Sequence, residues 1–164
     1  MSEKKFIAGI LITAMVLLGG GFYLASNLSQ TSQIEKIEGT KASVEKTTHD
    51  WGKIGMNDGD VSVVFDISNK GAKPLKLFNV KTSCMCTTAQ LIFKDKKSPV
   101  FGMHTKSSYV LEVPSNETAK LKVTFDPAYH GPQGVGSITR QILVQTNDPE
   151  NPELNFEANA LVSK

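Results

Sequence analysis

The residues with the most chemistry to offer are Cys84 and Cys86, which flank Met85 and are the only cysteines in the 164-residue chain. An immunoglobulin-type disulfide joins cysteines far apart in sequence, so that pairing is excluded here. A disulfide between Cys84 and Cys86 would close a small, strained ring and be easily reduced. On a regular strand positions i and i+2 face the same side, so both thiols could address one object. Two thiolates on one face are the beginning of a site for a soft metal ion. Two other segments supply partners. Gly102-Met103-His104 follows a short apolar stretch ending in Phe101, and Tyr129-His130-Gly131-Pro132 follows Asp126-Pro127. The expected metal ligands are therefore Cys84, Cys86, His104 and His130, with Met103 or Met85 as an auxiliary thioether.

Cysteine, methionine and histidine together form a ligand set for copper. Zinc is the alternative, and would use the two Cys and two His while ignoring the Met residues. Gly102, Gly131, Gly134 and Gly136 would let the backbone bend toward a shared centre. The same residues have plainer uses, since free Cys is often a small buried hydrophobe and a loop His is usually solvated. A redox-active dithiol is a third use of the pair. His49, the last of the three histidines, reads as structural, at the start of the first domain strand with Trp51 packing as a core aromatic.

Enzyme chemistry has no comparable support. The chain contains no G-x-S-x-G turn, H-E-x-x-H helix or phosphate loop, so it is read as a non-enzyme with no evident small-molecule substrate. Asp126-Pro127 and Asp148-Pro149 read as turn formers, because Asp bonds its own backbone and Pro sets φ. Nucleic acid is excluded as a partner on charge. The net charge is only +2, and of the 18 basic residues only Arg140 is an arginine, whereas phosphate and base readout leans on the guanidinium fork.

The elements that must position these groups are β-strands. Val61, Val63, Phe65 and Ile67 alternate with polar or surface-tolerant residues, as do Ala119, Leu121, Val123 and Phe125, then Ile142 and Val144, then Leu154, Phe156, Ala158, Ala160 and Val162. Period-two alternation marks strands with one buried face. Turn clusters separate them at Asn69-Lys70-Gly71, at Pro114-Ser115-Asn116 and at Asn147-Asp148-Pro149. The expected fold is an all-β, immunoglobulin-like antiparallel β-sandwich of about seven strands.

One N-terminal segment breaks the pattern. Residues 6–25 hold no charge and match the ~20 residues that a membrane-spanning helix needs. Lys4 and Lys5 precede the run with no such pair just after it, which predicts an internal N-terminus and an external remainder. The run exceeds a signal-peptide core of ~7–15 residues and no A-x-A site follows, which favours an uncleaved anchor. The expected organisation is a cytoplasmic tail at 1–5, a transmembrane helix at 6–25, a polar linker at 26–42 and an extracytoplasmic domain at 43–164 in the cell membrane.

Taken in order, His49-Asp50-Trp51-Gly52, Asn69-Lys70-Gly71 with Pro74-Leu75, Thr82-Ser83-Cys84-Met85-Cys86-Thr87, Val123-Thr124-Phe125-Asp126 and Thr146-Asn147-Asp148-Pro149 resemble the bacterial family catalogued as domain of unknown function 1573. The resemblance spans about residues 44–162 and implies an exported immunoglobulin-like sandwich. Members usually carry a small residue between the cysteines, where this chain has Met85. They often have Pro-Gly-Glu before the strand at 119–125, where this chain has Pro114-Ser115-Asn116-Glu117. Phe101-Gly102-Met103-His104 and His130-Gly131-Pro132 look like additions of a subgroup. The resemblance implies fold and export and leaves function open. The residues themselves suggest copper carriage, delivery or electron transfer, with an envelope metalloprotein as a partner. An envelope interaction module and a thiol–disulfide redox protein are the alternatives.

Overall fold

The computed structural model describes residues 13–17, 20 and 34–164. Residues 13–17 and 20 are helical. Among the described residues no helix is long and apolar enough to cross a membrane. The expected tail at 1–5 and most of the anchor at 6–25 lie outside the described residues, as does the first part of the linker.

The described remainder forms two face-to-face sheets built from ten strands. In chain order these are β1 (Ala42–Ser43), β2 (Thr48–Gly55), β3 (Val61–Asn69), β4 (Leu75–Thr82), β5 (Thr87–Phe93), β6 (Lys96–Lys97), β7 (Val110–Val113), β8 (Thr118–Phe125), β9 (Gly136–Thr146) and β10 (Glu153–Ser163). One sheet has the order β1-β3-β8-β5-β6 and the other β2-β10-β9-β4-β7. The expectation of about seven strands corresponds to the long ones; β1, β6 and β7 are short edge pieces with too few residues to show a period. The expectation of a wholly antiparallel sandwich needs a correction, because β2 pairs parallel with β10. Alternation reports which face of a strand is buried, not which way its neighbour runs.

The burial pattern follows the residue types. Along β8, Ala119, Leu121, Val123 and Phe125 are buried while Lys120 and Lys122 face water. The same parity buries Phe65 and Ile67 on β3, Ala89 and Leu91 on β5, Ile142 and Val144 on β9, and Phe156 and Ala158 on β10. Apart from Phe125 and Ala158, these side chains meet between the sheets in one apolar cluster. On β4 the parity changes midway: Leu75 and Leu77 point inward, then Val80 and Thr82. Asn79, with φ +47°, takes up the extra residue, and the pairing with β9 shifts register between Phe78 and Lys81. This is the two-against-one geometry of a β-bulge.

One end of the sandwich is held by buried polar side chains. Asn69 donates from Nδ2 to the carbonyls of Lys73 (2.8 Å) and Val113 (2.9 Å) and accepts from Gly71 N–H. Asn147 Oδ1 accepts from Lys76 N–H at 2.8 Å. Asp148 accepts from the backbone N–H of Ala42 and of Glu150 and from the Asn151 amide. Burial alone would raise the Asp148 carboxyl, but these donors, together with the Asn151 backbone, outweigh it and hold the group below its ordinary value. The last part of the expected linker belongs to this end as well. Ile37 N–H bonds Asn147 O at 2.9 Å and Lys36 Nζ reaches Thr146 O at 3.2 Å. At the turn before β8, where the resemblance leads one to expect a Gly, Asn116 adopts φ +59°; Asn tolerates this left-handed conformation better than most residues.

Candidate functional site

The cysteines lie at the opposite end, where β4 leaves one sheet and β5 enters the other. They do not sit on a regular strand. Thr87 N–H donates to Cys84 O at 3.2 Å, so Cys84 to Thr87 form a four-residue turn with Met85 and Cys86 at its centre. Thr82 Oγ1 bonds the carbonyls of Cys84 and Thr87 from within the sandwich. Ser83 exchanges two hydrogen bonds with Gln141 on β9, one through its N–H and one through its Oγ. Asp126 N–H bonds Cys86 O at 2.9 Å, tying the turn to the exit of β8.

That last bond explains how His130 arrives. Antiparallel pairing of β5 with β8 sets Thr87 opposite Phe125, so the chain leaving β8 emerges beside the cysteine turn. Asp126 then folds the chain back by accepting from Ala128 N–H at 2.8 Å, the Asx-turn role expected of Asp126-Pro127. Gly131 follows with φ +58°, a conformation that glycine adopts without steric cost. A Cβ on Gly134 would stand 3.0 Å from His130 Cβ, so the small residue there lets the 3-10 turn Gly131–Gly134 close beneath the imidazole.

The outcome is a compact group of three. Cys84 Sγ lies 3.3 Å from His130 Nε2. The Cys84 sulfur, the Cys86 sulfur and a His130 ring nitrogen all lie within 4.8 Å of one another. The two cysteines are joined as a disulfide. Cys86 is buried at 3% exposure, Cys84 is half-buried, and His130 is exposed. Beneath the turn a small apolar cluster combines Cys86, Phe125 and Val162 with the partly buried Trp51, Ile54, Met56, Ile138 and Cys84. Trp51 stacks on Phe125 with centroids 5.9 Å apart, the packing role expected of it.

Arg140 completes the surroundings. Its Nε–H points at Cys86 Sγ, 3.1 Å away, and its guanidinium lies over the Phe125 ring at 5.5 Å. Burial pulls the guanidinium below its usual pKa, yet an arginine stays charged in a protein. The register of β9 against β4 accounts for its position. Ile142 pairs with Thr82, so Arg140 projects beside the turn two residues further on. Charge reasoning alone passed over Arg140 as too isolated for nucleic acid. Its standing as the sole arginine among 17 lysines was the available signal, because a single guanidinium in an otherwise Lys-based chain suggests a geometric requirement.

The remaining expected ligands sit elsewhere on this end or apart from it. The bridge of Phe101 to Ala89 is antiparallel, so the chain beyond Phe101 heads toward the cysteine turn. It then turns at once: Gly102 O accepts from Thr105 N–H, and Met103 and His104 form the exposed tip. His104 is not in the three-residue group. Met103 is 43% exposed and Met85 56% exposed. His49 lies on β2, edge-on to Trp51 at 5.5 Å, and lies outside the group too. Desolvation, then the neighbouring Lys46, lower its pKa, with Asp50 opposing.

With the sulfurs oxidised the group offers one imidazole and no thiolate. With them reduced it offers two thiolates and an imidazole, the soft-plus-borderline donor set of copper or zinc.

Comparison with known proteins agrees with the fold. A protein of unknown function from Porphyromonas gingivalis W83 superposes with a TM-score of 0.59 at 21% identity, covering 80% of this chain and 51% of that one. This chain thus spans about half the length of that protein, and the likeness is one of fold. PapD-like domain 7 of human CEP192 matches with a TM-score of 0.49 and 14% identity, covering 83% of this chain and 96% of that one. The YadV chaperone matches with a TM-score of 0.47 and 12% identity, covering 75% and 52%. No curated protein matches. Residues 42–100, which include the cysteine turn but stop before His104, His130 and Arg140, match the family described as Protein of unknown function (DUF1573).

Proposed function

We propose that the reduced protein binds one copper ion as Cu(I), through Cys84, Cys86 and His130, and serves in copper carriage or delivery rather than turnover. The observation that carries this reading is the convergence of two sulfurs and an imidazole nitrogen within 4.8 Å, from elements far apart in sequence. Arg140 supports the monovalent ion over zinc. Two thiolates with Cu(I) carry a net charge of −1, which a guanidinium beside Cys86 Sγ offsets. Two thiolates with Zn²⁺ are already neutral, and a cation beside them gains nothing.

The apolar run at 6–25 supports an anchor with the domain outside the cytoplasm. The oxidised cysteine pair suits such a compartment, where disulfides persist. An envelope metalloprotein is the partner that fits, with metal passing between exposed sites.

The test is the metal content of the full-length chain, reduced and offered Cu(I) and Zn(II) together. The expected result is one equivalent of copper in the wild type and none in the Cys84→Ser/Cys86→Ser variant. Equal and negligible metal in both chains ends the proposal, and zinc in place of copper ends the argument from Arg140.

A further inference from the structure

The two sulfurs do not occupy equivalent positions. Cys86 is 3% exposed, sits in the apolar cluster with Phe125 and Val162, and accepts the Arg140 Nε–H at 3.1 Å. Cys84 is half-buried on the outer limb of the turn, between exposed Ser83 and exposed Met85, and next to exposed His130. In thiol–disulfide exchange an incoming thiolate bonds to one sulfur and expels the other as a thiolate. A sulfur nucleophile approaching from solvent meets Cys84 and is kept from Cys86 by burial. The expelled charge then develops on Cys86, where a fixed cationic donor already points at the sulfur and a charge-assisted hydrogen bond is strongest. Attack in the opposite sense would require entry into the apolar cluster and would leave the new charge away from Arg140.

We propose that an external protein dithiol reduces this disulfide by attack at Cys84, with Cys86 as the leaving sulfur, and that this reduction is the switch that opens the metal site. The switching half rests on the copper reading above; the direction of attack does not. The donor's thiolate forms a bond to Cys84 Sγ, the Cys84–Cys86 bond breaks, and its electron pair moves onto Cys86 Sγ beside Arg140. The donor's second thiolate then attacks the donor sulfur of that mixed disulfide and expels the Cys84 thiolate. The donor departs as a disulfide, having passed two electrons to this chain. The two protons shed by its thiols go to the new thiols, or to water when a metal takes the thiolates.

The experiment uses the oxidised full-length chain and reduced glutathione as a single-thiol probe. Reaction is stopped with acid at early times, and the adduct is located by fragment mass spectrometry. Glutathione is expected on Cys84 in at least about tenfold excess over Cys86. An even distribution, or an excess on Cys86, overturns the direction. In Arg140→Met the initial rate of reduction is expected to drop by about tenfold, with partial recovery in Arg140→Lys. An unchanged rate in an Arg140→Met chain with wild-type unfolding midpoint overturns the role of Arg140, and the wild-type mapping stands should that variant fail to fold. For the switch, Cu(I) is offered to oxidised and reduced chains, and only the reduced chain is expected to bind. Equal binding by the oxidised chain overturns the switch. Failure of the reduced chain to bind removes the copper reading and the switch with it, while the direction of attack is still decided by the mapping.

Discussion

At the scale of single residues, the arrangement divides the histidines by position. His130 is carried to the sulfurs by a loop that Asp126 folds and two glycines close, whereas His104 occupies the tip of a separate exposed turn. Replacing His130 with Ala is therefore expected to weaken Cu(I) binding by at least about tenfold, a change of ~1.4 kcal/mol. His104→Ala is expected to leave it unaltered. Competition titrations of the reduced chain against a Cu(I) chelator measure both, and equal losses in the two variants would place His104 among the ligands. Affinity falls in acid for either histidine's chain, because protons compete with the metal for thiolates and imidazole.

Among the elements, the strands are joined at one end by side chains that substitute for backbone pairing. Asp148 alone links β1, through Ala42, to the turn between β9 and β10. Because its carboxyl is held below its ordinary value, the folded state favours the charged form. The stability it supplies is complete above the unfolded aspartate value of about 3.9 and disappears as pH falls through the lower folded value. Asp148→Asn retains one acceptor and replaces the other with a donor facing donors. It is expected to cost roughly 1–3 kcal/mol near neutral pH, and the gap to wild type should narrow in acid. Urea unfolding at two pH values measures this, and a gap that widens in acid would contradict the assignment. The β4 bulge at Asn79 acts at the same scale, since it resets the parity that leads into Thr82 and the cysteine turn.

For the molecule as a whole, stability and chemistry are placed apart. Phe65, Phe156, Leu91 and Leu121 fill the main core between the sheets, and the cysteines belong to a smaller cluster at one end. A link between residues two apart constrains the unfolded chain little. The Cys84→Ser/Cys86→Ser chain is thus expected to lose less than about 2 kcal/mol. Phe156→Ala, which opens a cavity in the main core, is expected to lose about 3–5 kcal/mol. Denaturant midpoints of the two variants test this. A larger loss from the serine variant would make the pair a structural clasp rather than a site.

Four of the long strands, β3, β8, β9 and β10, were legible in the residue order because alternation of apolar and polar side chains is a local property: Ala119, Leu121, Val123 and Phe125 reveal a half-buried strand without reference to any partner. The turn-forming roles of Asp126 and Asp148 were legible for the same reason, each bonding backbone within a few residues. The short strands and the parallel β2–β10 pair were not, since pairing direction leaves no local trace. The candidate donors were visible as residue types, but which of them lie together was decided by register. Cross-strand pairing of β5 with β8 and of β4 with β9 brings His130 and Arg140 to the cysteine turn, and a tight turn after Phe101 sends Met103 and His104 to an exposed tip. Such convergence depends on distances between segments 40 to 60 positions apart in the chain, which only the packed sheets define.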